Sequence, residues 1–223
     1  SRVFHVEHGY THLWRRFQNA LKHRNQLLRL ARIDEVMLSA WMTSLLPLAA
    51  QVTEYPRQSF LQLSVLVGAV SSSFDALGLV ELEYYQGWAE GQELAQVFEA
   101  DRKRDMAIGA TSHGAHKADI RIKVDGLVAA EVLSRGQTKL LVYALKLAQA
   151  THYRQRAGQS CLFLLDDLPA ELDYEHRAQV VACLNGLDCQ YFMTGVDKQD
   201  FQVLVDGMAH QMFHMEHGVA SAG

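Results

Sequence analysis

The sequence has no apolar run approaching the roughly 18 to 20 residues needed to cross a bilayer. Its longest candidates, LLPLAA at 45–50 and LQLSVLVGAV at 61–70, are short or interrupted, so no membrane association is expected. The opening SRVFHVEHGY lacks the charged-then-apolar pattern of an export signal. Cysteines are few, Cys161, Cys183 and Cys189, and none forms a CxxC pair. An odd number of isolated thiols argues against a disulfide framework and a zinc cluster, and for a cytoplasmic location. There is no Gly-Lys dipeptide, and so no phosphate loop of the form GxxxxGK[ST]. Acids are missing between His8 and Ile33, a stretch that holds six Lys or Arg residues although the whole chain has a net charge of −4.

What is present fits an ordinary globular protein of one or two domains, with 49% apolar and 21% charged residues. From Tyr10 to about Arg32, Trp14, Phe17, Leu21, Leu28 and Ala31 recur at helical spacing, with one gap at Arg24. A second helix is expected from an Asp34 N-cap through Leu48, kinked by Pro47, and a third from Pro56 to about Val70. VELEYY (80–85) alternates as a strand, and a short helix follows from Gly91 to about Ala100. ADIRIKVDG reads as a hairpin leading into LVAAEV. Then come a helix from Ser134 to about Arg154, a strand CLFLL, a helix from Tyr174 to Leu184, a strand CQYFMT and a last strand HQMFHME. This alternation predicts an α/β layer with parallel central strands, following a mainly α-helical first part, with the boundary near Met106.

Two segments carry candidate chemistry. CLFLLDD (161–167) is an apolar strand, expected to be buried on both faces, whose acids Asp166 and Asp167 emerge at the carboxyl end. That edge is where ligands bind in open α/β sheets. A first Asp there suits hydrated magnesium, and a second can polarise an attacking water; two acids merely ending a strand are the plain alternative. In LSRGQTK (133–139), Ser134 stands where an N-cap is wanted, and the amides near Arg135, Gly136 and Gln137 would point out of the helix as a seat for phosphate. Gly136 would let a phosphate approach the backbone. Taken alone, this segment is equally an ordinary serine-capped helix.

In this order and spacing, LSRGQ resembles the LSGGQ signature of ABC-type ATPases, and CLFLLDDLPAELD resembles their Walker B strand and D-loop. The Arg135 variant of the signature, the Asp-Asp pair and the AELD segment look most like the RecF family, bacterial recombination mediators related to the SMC and Rad50 ATPases. FHVEHGYTHLWRRFQNALKHRN, EYYQGW and TSHGAHKADI also resemble RecF segments, so the likeness covers nearly the whole chain. It implies an α/β fold, the C-terminal half of an ABC-type ATPase head over 107–223, joined to a mainly helical arm over 1–106 that resembles domain II of RecF. The lobe with the phosphate loop would precede Ser1 in a longer protein, and this chain alone is expected to be catalytically incompetent.

By the same resemblance, Asp166 would coordinate Mg2+ and Asp167 would act as the catalytic acid-base residue. Ser134, Arg135, Gly136 and Gln137 would grip ATP held by a second subunit, with Asp173 at that interface. The implied partners are DNA at single/double-strand junctions, an ATP-dependent homodimer and RecR- and RecO-type mediators, in recombinase loading during repair and the SOS response. Two positions depart from the family pattern. Thr194 lies where ABC transporters carry a switch histidine, and HGAHK (113–117) replaces GPHR, which weakens any bidentate phosphate contact. A non-catalytic DNA-binding or protein-docking module with degenerate motifs is the competing reading.

The basic stretch offers a second surface. His12, Arg15, Arg16, Asn19, Lys22, His23, Gln26 and Arg29 share one helical face and could track a phosphate backbone, with Arg15, Arg16, Lys22 and Arg29 as the DNA-binding candidates. A solvated face is the alternative. The hexamers FHVEHG (4–9) and FHMEHG (213–218) are read as strand ends, because histidines three apart on a strand face opposite ways and cannot chelate one ion.

Overall fold

The computed structural model describes residues 8–30, 35–202 and 204–222. The expected Asp34 N-cap and most of FHVEHG lie outside the described residues. The chain divides into two compact units. One runs to Gly68 and resumes over Leu79–Val132; the other takes Ala69–Gly78 and continues from Leu133. They part at Val132 rather than near Met106, because β1 (Val80–Tyr85) pairs antiparallel with β2 (Asp119–Val124) in register from Val80↔Val124 to Tyr85↔Asp119. That pairing ties the segment after Met106 to the helical unit.

In the first unit, α1 (His8–Leu28) buries Tyr10, Leu13, Phe17, Ala20 and Leu21 along one stripe. They pack against Leu45, Leu48, Ala49 and Val52 of α2, and against Trp88, Leu94, Val97 and Phe98. The two helices expected over 34–70 are a single helix, α2 (Glu35–Ser71), which contains both Pro47 and Pro56. Each proline forfeits one ladder bond, and the burial of Leu45, Ala49, Val52 and Val67 on one face offsets that loss. Joined in this way, residues Val36–Ser71 are long and apolar enough to cross a membrane by length and composition alone. Leu45, Leu48, Ala49 and Val52 of this helix pack in the core of the first unit.

Two short helices follow, α3 (Leu94–Ala100) and α4 (Arg102–Ile108). The hairpin from β2 turns through Asp125 (φ 51°) and Gly126 (φ 79°), the paired positive φ angles of a type I′ turn. Its second strand, β3 (Leu127–Val128), is much shorter than LVAAEV, because Ala129–Val132 coils into α5. Alanine and glutamate favour that helix.

The second unit is built around α6 (Arg135–Ala157), which starts at Ser134 and is closed by Gly158 at φ 66°. Strands β4 (Phe163–Leu165) and β5 (Tyr191–Met193) pair in parallel, Phe163 opposite Tyr191. Between them run α7 (Leu168–Glu171) and α8 (Tyr174–Gly186), and α9 (Gln199–Gln202) follows. Leu140, Ala144, Leu147, Leu165, Leu168, Val180 and Leu184 form the core. The last predicted strand is one arm of a separate hairpin, β6 (Phe213–Glu216) and β7 (Val219–Ala222), which turns at His217–Gly218. β4 is not buried on both faces as expected: Leu164 is 75% exposed. Among the described residues β4 has a neighbour on one edge only, and a groove of about 370 Å³ runs beside it, lined by Val142, Tyr143, Phe163 and Val180.

Candidate nucleotide-binding site

Ser134 and Gln137 form a complete capping box at the tip of α6. The Ser134 Oγ accepts from the Gln137 amide at 3.3 Å, and the Gln137 Oε1 accepts from the Ser134 amide at 2.9 Å. The Gln137 Nε2 donates to the Ala76 carbonyl at 2.8 Å, which fastens the tip to the segment before it. Both ends of that carboxamide are thus engaged inside the unit. In this structure Gln137 shapes the tip.

Ser134, Arg135 and Gly136 are exposed. A Cβ placed on Gly136 would meet nothing within 4 Å. A helical glycine is less stable than alanine by roughly 0.5–1 kcal/mol, and packing within this unit gives no reason for it. The amides of the first helical turn also lack partners in the helix by construction, and the helix dipole adds positive potential there. The capping box takes up the Ser134 and Gln137 amides, which leaves those of Arg135 and Gly136 at an exposed tip that can receive phosphate oxygens. Behind it, the Lys139 Nζ lies 3.3 Å from the Glu171 carboxylate of α7.

The second element is the carboxyl end of β4. Asp166 and Asp167 are both exposed, as expected of acids that leave a strand toward a ligand. The Asp166 Oδ1 accepts from the Thr194 hydroxyl at 2.6 Å, and the Asp167 amide donates to the same hydroxyl oxygen at 2.9 Å. Asp167 takes left-handed angles (φ 49°, ψ 39°) where the chain turns into α7. Hard carboxylate oxygens that are open to water fit a magnesium ion, which keeps most of its hydration.

Asp173 caps α8: its carboxylate accepts from the His176 amide at 3.0 Å and lies 2.6 Å from the His176 Nδ1. The amide bond and then the imidazole contact hold its carboxyl below the usual range. It is exposed, and its visible work is to start a helix. Arg177 on the same helix pairs with Asp200 at 3.0 Å. The Thr194 contacts and the Lys139–Glu171 tie join residues distant in sequence, and their one local signal is a threonine at the place of the switch histidine of ABC transporters.

In the first unit, Arg15, Arg16 and Lys22 are exposed on α1 along with His12, Asn19 and Gln26, and no ion pair engages those three cations among the described residues. Arg29 is exposed too, but its Nε donates to the Gly109 carbonyl at 2.9 Å, so part of its guanidinium closes the end of α4. His23 stacks on Trp41 with ring centroids 4.3 Å apart. The gap in the apolar pattern is Arg24, which is 2% exposed and bonded to Asp105 at 2.9 Å and to the Thr111 hydroxyl at 2.6 Å. Within HGAHK, His113 meets Asp101 at 2.5 Å and the His116 Nε2 meets the Thr111 carbonyl at 3.1 Å.

Residues 17–221 match the family described as the RecF/RecN/SMC N terminal domain. The chain belongs to that family. It is 42% identical over 225 residues to the DNA replication and repair protein RecF of Cellvibrio japonicus, covering 98% of this chain and 61% of that one. With the RecF of Stutzerimonas stutzeri the identity is 40%, over 97% of this chain and 59% of the relative. The chain thus spans about 60% of the length of the curated relatives it matches. A solved structure of the recombination mediator protein RecF with ATP, from the RecFOR pathway, superposes with a TM-score of 0.79 at 17% identity, over all of this chain and 60% of that one. At that identity the superposition speaks for the α/β fold alone.

Proposed function

We propose that this chain works within a longer RecF-like ATPase of the cytoplasm that closes into a dimer on ATP, binds DNA at junctions of single and double strand, and promotes recombinase loading at gapped DNA with RecR- and RecO-type mediators. The observation that carries this reading is the exposed helix tip Ser134–Gly136, whose glycine no internal contact requires, on the same unit as the exposed Asp166–Asp167 strand end. Neither element surrounds a triphosphate by itself. Two copies, each offering its tip to a nucleotide held by the other, would enclose one, so ATP adds to the stability of the dimer and hydrolysis removes that contribution.

In this scheme Ser134 and Arg135 meet the terminal phosphate, the first through its hydroxyl proton and the second through charge. Gln137 holds the tip in shape, and Asp173 stands near the facing subunit. Asp166 would hold magnesium, which would supply charge neutralisation at the phosphates. Asp167 orients and deprotonates the attacking water. The phosphate cradle comes from the part of the longer protein that this sequence does not contain, and the same part would cover Leu164 and the groove beside β4. Arg15, Arg16 and Lys22 contact the DNA backbone, with a lesser share from Arg29.

The test compares the full-length protein with its Asp167→Asn variant. The expected loss in ATP turnover is on the order of 100-fold or more, with ATP binding retained. Turnover absent from both would instead favour a non-catalytic DNA-binding or docking module, and equal turnover in both would take the catalytic role away from Asp167.

A further inference from the structure

Strand β5 ends at Met193, and the next residue returns to the acidic pair. The Thr194 amide donates to the Leu165 carbonyl at 3.0 Å, which extends the parallel ladder by one bond beyond the strand. Its hydroxyl then does two things at once: it donates to the Asp166 Oδ1 at 2.6 Å and accepts from the Asp167 amide at 2.9 Å. One oxygen therefore sets the rotation of the first carboxylate and the peptide plane that joins the two acids. The following residue, Gly195, has no room for a side chain. A Cβ there would come within 2.6 Å of the Phe201 Cζ and 3.1 Å of the Pro169 Cγ. A larger residue there would have to displace the Phe201 ring and press on Pro169. Among the described residues, the side-chain group hydrogen-bonded to the acidic pair is the Thr194 hydroxyl.

We propose that Thr194 is the positioning residue of the acidic pair, presenting Asp166 to the cation through a single oxygen and linking the pair to strand β5. The proposal rests on the metal-site reading given above. With Oδ1 held by the hydroxyl, Oδ2 is the oxygen left for a cation, and ligation through one oxygen is what a hydrated magnesium ion needs. A carboxylate freed from the hydroxyl can turn and offer both oxygens, a mode that suits the larger calcium ion. Thr194 thereby contributes to cation choice as well as affinity. Outer-shell partners of metal-ligating carboxylates typically change metal affinity by about 10- to 100-fold.

The experiment uses the full-length protein with a non-hydrolysable ATP analogue and reads Mn2+ binding by electron paramagnetic resonance, with Ca2+ as competitor. Thr194→Val, which keeps the shape and removes the hydroxyl, is expected to weaken Mn2+ binding about 10-fold or more and to let Ca2+ compete at lower concentration. In turnover, kcat should fall while KM for ATP stays near the parent value. Thr194→Ser should restore all three, and melting temperature is followed for every variant; if the valine variant does not fold, Thr194→Ala is read in its place. Mn2+ affinity and Ca2+ competition unchanged in the hydroxyl-free variant, with Asp166→Asn losing Mn2+, overturns the proposal and leaves the metal site standing. Failure of serine to rescue also overturns it. Mn2+ binding unchanged even in Asp166→Asn removes the metal-site reading and this proposal together.

Discussion

In the first unit the charged pair Arg24 and Asp105 is sealed from water, at 2% and 0% exposure; in the second the acids Asp166 and Asp167 stand exposed with one hydroxyl between them. The first pair has every mark of a structural device. Arg24 is bonded to Asp105 and Thr111, its guanidinium lies 4.6 Å from the centre of the Phe98 ring, and the Asp105 Oδ1 accepts from the Ser112 amide at 2.9 Å. The second pair contributes nothing comparable to packing. Ionisable groups that a fold does not need for itself, set at a strand end where ligands bind, are the ones to test for chemistry.

That contrast can be broken by substitution. Asp105→Ala leaves a buried guanidinium without its partner and should cost about 3–5 kcal/mol in denaturant unfolding. Asp166→Asn, at an exposed site, should change stability by no more than about 0.5 kcal/mol. Similar losses from both would erase the distinction between a structural and a functional pair.

Exposed cations come next in size. In the full-length protein, the joint change Arg15→Ala, Arg16→Ala, Lys22→Ala should reduce the steepness of log affinity against log salt for duplex DNA by up to about 3. An unchanged slope would assign the stripe to solvent. Arg29→Ala should affect the slope less, because its Nε is already bonded to Gly109.

Gly136→Ala sharpens the comparison in the opposite direction. Nothing lies within 4 Å of the added Cβ, so the variant should be more stable by up to about 1 kcal/mol, while ATP-dependent association weakens. A glycine needed only for folding would give the reverse.

The smallest effect concerns pH. Burial, the largest influence, holds the His116 imidazole below its ordinary value of 6.5, and its Nε2 contacts a carbonyl. The unfolded chain therefore takes up a proton that the folded one resists. The stability due to neutral His116 is complete above about pH 6.5 and is lost as pH falls toward the lower folded value. In His116→Gln the acid-induced loss between those limits should be shallower when followed by chemical denaturation at successive pH values.

Much of this was legible in local pattern. Ser134 as a helix cap, Asp125–Gly126 as a hairpin turn, the exposed stripe of α1 and the acids at the end of β4 all follow from residues near one another in sequence. What local pattern missed depends on distant partners. The gap at Arg24 is filled by Asp105, eighty-one positions away. Pro56 does not end a helix because burial continues beyond it, at Phe60, whose ring lies 5.6 Å from that of Tyr84, and at Val67. Gln137 turned inward to Ala76, and Thr194 reached Asp166 across parallel strands, contacts that no spacing rule encodes. An apolar strand sequence does not by itself bury Leu164, because burial depends on what covers that face of the strand.

The central claim is that the helix tip of one copy and the acidic strand end of another enclose a shared ATP. Its most direct test is the mass of the full-length Asp167→Asn protein in sedimentation equilibrium. Addition of Mg-ATP should shift it from monomer to dimer, and Ser134→Arg in the same background should return it to monomer. A mass that ignores ATP, or a dimer indifferent to a bulky side chain at position 134, would contradict the account.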